Sequence, residues 1–308
     1  MPRAAAALAA LTLALGTHSL SAQRAQPRPP DLQGFWDNGT VTPLQRPSDL
    51  AGKEFFSEPE AAEFERTWLT NFRKNFPPED LQAPDLDYEV MDRRKLVASR
   101  RTSLITDPAD GRLPPLLQTA KDRAAAGPQR SKDDPELLGL DERCLLETAF
   151  GSSNASPPMV PNPFGGNIYQ IVQTRDHVMI YTEQVHDARI IRIGGSHPPP
   201  AIQLWLGDSI GRWEGDTLVV DTTNFNDKTR FRGSSTKLHV VERLTRTGPS
   251  AIRYQFTVDD PDTWQRPWSA ELPFNATSDR IFEYACHEGN YSMANVLRGA
   301  RAEEKQKR

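Results

Sequence analysis

The C-terminal half of the chain alternates apolar and polar residues with a period of two. From residue 167 onward, short alternating runs are separated by Gly-Gly, Gly-Asp, Thr-Gly-Pro and Ser-Asp turns. This period places successive side chains on opposite faces of a β-strand. We therefore predict a mainly β protein, an antiparallel meander that closes as a barrel or folds into a sandwich. The predicted strands are IYQIVQT, HVMIYTEQV, ARIIRI, RWEG, TLVVDTTNF, KLHVVERLTR, AIRYQFTVDD, WSAELPFNA and IFEYACHE.

The N-terminal half combines helical periodicity with many prolines. Ser57 and Glu60 stand at the spacing of a capping box, and Phe64, Trp68 and Phe72 follow at every fourth position. This pattern predicts an amphipathic helix with one apolar face. The other predicted elements are an early strand anchored by Trp36, a helix over residues 117–125, and a short C-terminal helix in YSMANVLRGAR followed by a charged tail.

The first residues predict an export signal over residues 1–22. The run AAAALAALTLALG is apolar but too short to span a bilayer, and small residues near Ala22 suit cleavage. We therefore expect a periplasmic or secreted mature protein with no stable membrane insertion after signal cleavage. Its predicted organisation is an irregular and helical region, 23–166, packed on a β-rich region, 167–308.

The chain has two cysteines, Cys144 and Cys286. In an oxidising compartment such a pair favours a disulfide bond over a redox or metal site. The alternative is a nucleophilic Cys286 beside His287 and Glu288. Adjacent residues of a strand point to opposite faces, which disfavours a contact between Cys286 and His287.

Charge and motif content narrow the functional classes. The net charge of −4 gives no basic field for a nucleic-acid partner. The sequence contains no dinucleotide fingerprint, Walker loop or G-x-S-x-G elbow, and we expect no cofactor. Its histidines lack H-E-x-x-H or i,i+4 spacing, so no metal site is predicted. The basic stretch DRRKLVASRR fits either an anionic partner or solvated surface charge.

Several long motifs carry a resemblance to a known group of proteins. They include SLITDPADGRLPPL, VHDARIIRI, WLGDSIGRWEGDTLVVDTTNFNDKT, LHVVERLTR and EYACHEGNYSMANVLRGAR. Together they resemble a large group of exported bacterial proteins that have no established function. The resemblance covers nearly the whole mature chain and implies export and one continuous unit, with no site residues to carry over. Separately, Gly34-Phe35-Trp36 is similar to the G-x-W of lipocalin-like barrels.

Alternation identifies two carboxylates on apolar strand faces. Glu242 shares its face with apolar residues in KLHVVERLTR, and Glu288 does so in IFEYACHE. A buried carboxylate costs several kcal/mol unless it is paired. Glu242 therefore needs a partner, which could be Arg189, Arg143 or a ligand. A structural pair, a ligand-orienting group and a general acid or base are the three interpretations.

The segment YTEQVHDARI concentrates ionisable residues at a junction between strands. His186 is a candidate general base near neutral pH, because the unperturbed pKa of histidine is about 6.5. Asp187 would fix its tautomer, and Glu183 and Arg189 would bind the ligand. An ordinary turn histidine is the alternative for His186.

The segment GRWEGDTLVVDTTNF ends a predicted strand on a run of polar residues. Asp221 faces away from Val220, and Asn224 follows at the strand end, so the run supplies both faces of a barrel mouth. Turn formation alone also explains Asp and Asn there. The nearby tryptophans, Trp213, Trp264 and Trp268, are either core residues or walls of a ligand site.

The sequence supports two functional hypotheses. The first is an exported β-barrel that binds a small, partly apolar ligand. The alternative is a periplasmic or secreted enzyme of the hydrolase, lyase or isomerase type, with His186 or an inward carboxylate as general base. Under both, the partner is a small molecule, either ligand or substrate.

Overall fold

Nine strands close into a mixed β-barrel. The computed structural model describes residues 29–77, 88–127, 132–146, 156–162, 167–228 and 231–307. The predicted export signal lies outside the described residues. The strands are β1 (Gly34–Asp37), β2 (Ile105–Asp107), β3 (Ile168–Gln173), β4 (His177–Thr182), β5 (Ala188–Ile193), β6 (Asp208–Glu214), β7 (Thr217–Thr223), β8 (His239–Gly248), β9 (Ala251–Asp259) and β10 (Trp268–Ala276).

The early strand β1 closes the barrel. On one side Trp36 pairs with Tyr169 of β3, and on the other it pairs with Ala276 of β10. Trp36 is only 1% exposed and donates its indole N–H to the carbonyl of Leu32 at 3.0 Å. The prediction of an early strand anchored by Trp36 is confirmed, and the barrel alternative replaces the sandwich. The short strand β2 lies outside the ring, against β10.

One pair of barrel strands departs from the predicted antiparallel meander. Strands β5 and β6 are parallel, with Ile191 opposite Ser209. A parallel pair needs a crossover connection of about a dozen residues or more. Residues 194–207 supply it, and we call them the crossover loop. The strand predicted at RWEG is part of β6, which begins at Asp208, and Gly215 (φ 58°) makes the predicted tight turn into β7.

The strand predicted at IFEYACHE is wrong. Residues 277–290 contain no strand, because β1 already occupies the edge of β10 and closes the ring. Instead, the backbone N–H of Phe282 donates to the Glu183 carboxylate at 2.9 Å. Cys286 is bonded to Cys144 across 142 residues, which confirms the predicted disulfide.

The helices follow their sequence signals. They are α1 (Glu58–Asn75), α2 (Tyr88–Arg93), α3 (Gln118–Ala126) and α4 (Tyr291–Gln306). The predicted capping box of Ser57 and Glu60 opens α1, and Trp68 stacks on Phe72 with ring centroids 5.3 Å apart. Helix α4 continues through most of the predicted charged tail. Among the described residues, no helix combines the length and apolarity needed to cross a bilayer.

The main core consists of aromatic and branched side chains inside the barrel. Tyr254 and Phe274 have ring centroids 5.0 Å apart, and Phe274 stacks on Tyr169 at 5.2 Å. At the end of the barrel where β10 begins, Trp268 meets Trp264 edge to face at 5.9 Å. A smaller cluster joins α1 to the segment before it. Because the barrel interior is mainly apolar, polar side chains inside it are unusual.

Candidate functional site

A buried ion pair crosses the barrel interior. Glu242 of β8 is fully buried and Arg189 of β5 is 2% exposed. The guanidinium donates from Nη1 to Oε2 at 2.6 Å and from Nη2 to Oε1 at 2.9 Å. Two strands separate β5 from β8 in the sheet, so the pair spans the interior rather than neighbouring strands. The predicted inward orientation of Glu242 is confirmed. Of the three partners that the sequence left open for it, the structure pairs it with Arg189.

A tyrosine and a backbone segment complete the ion pair. The hydroxyl of Tyr254 donates to Glu242 Oε1 at 2.8 Å and accepts from the backbone N–H of Met159 at 2.9 Å. Burial first, and then the negative charge of Glu242, raises the pKa of Tyr254 well above its ordinary value. Tyr254 therefore remains a neutral donor to the carboxylate.

The charge of Arg189 is held by its partner. Burial alone lowers the pKa of Arg189, but the charge of Glu242 and their hydrogen bonds raise that pKa above its ordinary value. The guanidinium of Arg189 is therefore charged and faces the Glu242 carboxylate as its counter-ion. The centre of the barrel is polar but electrically neutral.

Three buried polar atoms close to this pair have no hydrogen-bond partner within the described part of the chain. They are Asn38 Oδ1, Thr182 Oγ1 and Arg189 Nε. Their side chains are 1%, 0% and 2% exposed, respectively. An unsatisfied buried donor or acceptor costs about 1–3 kcal/mol. Such atoms mark a place where a bound polar group would add stability.

The fold places these three residues around one another. Thr182 stands opposite Tyr169 in the β3–β4 register, and Arg189 stands opposite Ile180, two residues from Thr182 on the same face. Asn38 Nδ2 donates to the carbonyl of Met159 at 3.0 Å and lies 3.5 Å from the Tyr169 hydroxyl. We call this group the interior polar cluster. Its members are Asn38, Met159, Tyr169, Thr182, Arg189, Glu242 and Tyr254.

A second ionisable group lies on the outer wall of the barrel. Arg192 Nη2 donates to both carboxylate oxygens of Asp208, at 2.9 and 2.7 Å. His197 then bridges Asp208, at 2.7 Å from Nδ1, and Asp221, at 3.0 Å from Nε2. The far oxygen of Asp221 lies 3.0 Å from Nε2 of His239. We call these five residues the outer His–Asp chain.

The hydrogen bonds of the outer His–Asp chain set its proton positions. Partial burial acts to raise the pKa of Asp221, but the hydrogen bond and charge of His239, followed by those of His197, outweigh it and lower that pKa. An ionised Asp221 accepts a hydrogen bond from the Nε2–H of each histidine. The lone pair of a neutral His239 is then on Nδ1, and this side chain is 38% exposed.

The crossover loop is fixed to the barrel wall by the same residues. Besides the His197 contacts, Asn224 Nδ2 donates to the carbonyl of Pro198 at 3.1 Å, and the Leu204 N–H donates to the Asn224 carbonyl at 2.8 Å. Asn224 has φ 59°, a conformation that asparagine tolerates better than most residues. Asp221 faces outward, as predicted, and both it and Asn224 bind the loop.

His186 lies apart from these two groups. It is exposed, in a 3-10 turn over Gln184–His186, and its backbone N–H donates to the carbonyl of Glu183 at 2.9 Å. Asp187 follows the turn, and its carbonyl accepts from the N–H of Thr182 at 3.0 Å. Among the contacts found within the described residues, none joins His186 to Glu242. Their catalytic roles stay predictions.

The remaining predicted site residues separate into surface and core. Glu288 is exposed and lies outside any strand, so its predicted position on an apolar strand face is wrong. Trp264 and Trp268 are 3% and 0% exposed and belong to the core, as the packing interpretation expects. Trp213 packs against that core from β6.

Sequence reasoning missed most of both groups. Asn38 and Met159 lie outside the alternating half, and His197 lies in the crossover loop, where no periodicity marks it. His239 is the third residue of the predicted strand KLHVVERLTR and the first of β8, and its outward position follows from the alternation that places Glu242 inward. The part of the chain described here holds no group of three or more His, Cys, Asp or Glu side chains placed to bind a metal ion.

Comparison with known proteins identified no relative of this chain. No protein family, curated protein or solved structure matches the chain.

Proposed function

We propose that this chain is an exported protein whose barrel binds one small, partly apolar molecule. Export is supported by the N-terminal apolar run and by the disulfide, since such bonds persist in oxidising compartments. The observation that carries the binding proposal is the set of unsatisfied atoms in the interior polar cluster. A closed barrel of about eight strands has room for its own side chains or for one small ligand.

The interior polar cluster has no net charge, and this favours a ligand whose head group is uncharged. Glu242 and Arg189 compensate each other, so a charged ligand would find no counter-ion there. The open positions are one donor, Arg189 Nε, one acceptor, Asn38 Oδ1, and the Thr182 hydroxyl, which serves as either. An uncharged head group that both donates and accepts, such as a carboxamide or an alcohol, satisfies all three. The aromatic rings of Tyr169 and Phe274 would contact its apolar part.

Thr182→Val tests the proposal with little disturbance to the fold. The change keeps the shape of the side chain and removes only Oγ1, which has no partner among the described residues. We expect the free energy of unfolding to stay the same or rise, while affinity for a binding amide or alcohol falls about tenfold. Calorimetric titration with uncharged amides and alcohols that carry short apolar tails would measure this, alongside urea unfolding.

Thr222→Val is the matched control inside the same barrel. Thr222 is also fully buried, but its hydroxyl lies 2.9 Å from that of Ser209. This variant should lose about 0.5–1.5 kcal/mol of stability and keep its ligand affinity. Equal affinity of the Thr182→Val variant and the wild-type protein would remove the interior polar cluster from the binding site.

A general-base enzyme is a second candidate, supported by the outer His–Asp chain. Asp221 fixes Nε2–H of His239 and leaves Nδ1 as the acceptor of a side chain that is 38% exposed, which is the arrangement that a general base needs. In this version of the enzyme hypothesis His239 takes the role first assigned to His186.

Reaction with diethyl pyrocarbonate, which acylates unprotonated imidazole nitrogens, tests this candidate. Peptide mapping should show that His239 reacts faster than His177, although His177 is exposed on the outer face of β4. Asp221→Asn should slow the reaction at His239, because the carboxylate that holds the ring proton on Nε2 and leaves Nδ1 unprotonated is gone. Equal rates at the two histidines would exclude His239 as an activated base.

A further inference from the structure

The basic stretch DRRKLVASRR divides into paired and unpaired side chains. Arg93 lies 3.7 Å from a carboxylate oxygen of Asp279, and Lys95 lies 3.1 Å from one of Glu65. Arg101 Nη1 donates to Glu54 at 3.0 Å. Arg93 and Lys95 are therefore solvated surface charges, and Arg101 is a partly buried cation with an acidic partner. The remaining basic residues are Arg100, which is exposed, and Arg94.

Arg94 is the buried cation of this stretch. It is 6% exposed, and within the described residues no carboxylate oxygen comes within 4.0 Å of its guanidinium. Its Nε and Nη1 atoms are buried and have no hydrogen-bond partner there. Arg189 is buried as deeply, but two hydrogen bonds to Glu242 compensate its charge. Arg94 therefore lacks the counter-ion that Arg189 has. A third buried arginine, Arg46, is 3% exposed and donates to Thr102 Oγ1 and to the Ala109 carbonyl.

An uncompensated buried guanidinium calls for an anion. Desolvation lowers the pKa of Arg94, and the charge of Asp37 opposes this shift. Arginine nevertheless keeps its proton, because its reference pKa is above about 12. A buried cation without a partner costs several kcal/mol, and a bound oxyanion would remove that cost.

Gly39 gives the guanidinium space beside the end of β1. A Cβ built on Gly39 would lie 2.3 Å from Nη1 of Arg94, so a side chain there would displace the guanidinium. The carboxylate of Asp37 acts on Arg94 through its charge, but no ion pair within 4.0 Å joins the two side chains, and Asp37 Oδ1 accepts the Gly39 N–H at 2.7 Å. Nε and Nη1 of Arg94 therefore lie beside the end of β1 without a hydrogen-bond partner in the described part of the chain.

We propose that Arg94 is the binding residue of a second site, which takes a small oxyanion, either a carboxylate or a phosphate. The guanidinium would donate from Nε and Nη1 to different oxygens of the anion. The site lies outside the barrel interior and does not depend on the ligand proposed there. It also explains why one member of the basic stretch is buried while its neighbours are paired at the surface.

Anion titration of the full-length mature protein tests the site. Thermal midpoints and ³¹P line widths would be recorded against inorganic phosphate at constant ionic strength, with acetate and chloride in parallel series. The wild-type protein should show saturable stabilisation by phosphate, acetate or both, and none by chloride. Saturation with phosphate alone identifies a phosphate site, and saturation with acetate alone identifies a carboxylate site.

Two variants and a control connect the effect to Arg94. Arg94→Met should stay folded, because it removes a charge that has no partner, and should bind at least about tenfold more weakly. Arg94→Lys keeps the charge but loses the fork of donors, so its affinity should lie between the two. Lys95→Met removes a neighbouring surface charge and should bind like the wild-type protein. Equal stabilisation of wild type and Arg94→Met, or no saturation by either oxyanion, would overturn the proposal.

Discussion

Replacing Glu242 by leucine is expected to lower the free energy of unfolding by about 3–5 kcal/mol. The change leaves the guanidinium of Arg189, 2% exposed, without its counter-ion at the centre of the barrel. It also deprives the Tyr254 hydroxyl of the acceptor that lies 2.8 Å away. Urea unfolding followed by circular dichroism would measure the loss.

The double variant Arg189→Met, Glu242→Leu separates the cost of an unpaired charge from the loss of the pair itself. Replacing a whole buried ion pair by apolar groups of similar volume is often neutral or stabilising. We therefore expect the double variant to recover most of the stability that Glu242→Leu loses. If the free energy of unfolding of Glu242→Leu lies within about 1 kcal/mol of the wild-type value, the guanidinium of Arg189 has another partner or is hydrated in that variant.

The orientation of Glu242 was predictable because strand alternation is a local property. Leu238, Val240 and Leu244 fix the inward face of β8 without any knowledge of its neighbours. The partner of Glu242 could not be predicted from local alternation alone. Arg189 and Arg143 were equally open, since only the order of strands around the barrel shows which side chain lies across from Glu242.

The outer His–Asp chain could not be predicted from the sequence, because it depends on the strand topology. Asp208 and Asp221 come together because β6 and β7 pair, and their pairing is a hairpin that the sequence predicts. His197 joins them only because β5 and β6 are parallel, which brings the crossover loop over the outer wall. No local pattern distinguishes such a connection from an ordinary surface loop.

The error at residues 281–288 has a similar cause. Their alternation is real, but a strand also needs an open edge to pair with. Trp36 of β1 pairs with Ala276 and so occupies that edge. The number of strands that closes the barrel cannot be predicted from any single segment of the sequence. The disulfide prediction was correct for a simpler reason, because a chain with two cysteines has only one possible intramolecular disulfide.

Removing the disulfide is expected to destabilise the protein by about 2–5 kcal/mol. Cys144 and Cys286 are separated by 142 residues, and closing a loop of this length accounts for about 5 kcal/mol in the chain-entropy model. The variant should replace both cysteines by serine, so that no free thiol remains. Its urea unfolding would be compared with that of the oxidised wild-type protein.

The attachment of the C-terminal segment determines where in this range the effect lies. Besides the disulfide, the contacts of residues 277–290 with distant parts of the chain include the Phe282 N–H to Glu183 at 2.9 Å, Asn290 Nδ2 to the Glu142 carbonyl at 2.8 Å, and the ion pair of Asp279 with Arg93 at 3.7 Å. If these hold the segment on the barrel, the whole loss appears in one cooperative transition. If they do not, α4 detaches first, and hydrogen exchange in α4 rises while the barrel midpoint moves less. Reductant should reproduce the effect in the wild-type protein and leave the serine variant unchanged. A difference below about 1 kcal/mol, with no change of exchange in α4, would contradict a stabilising role for the bond.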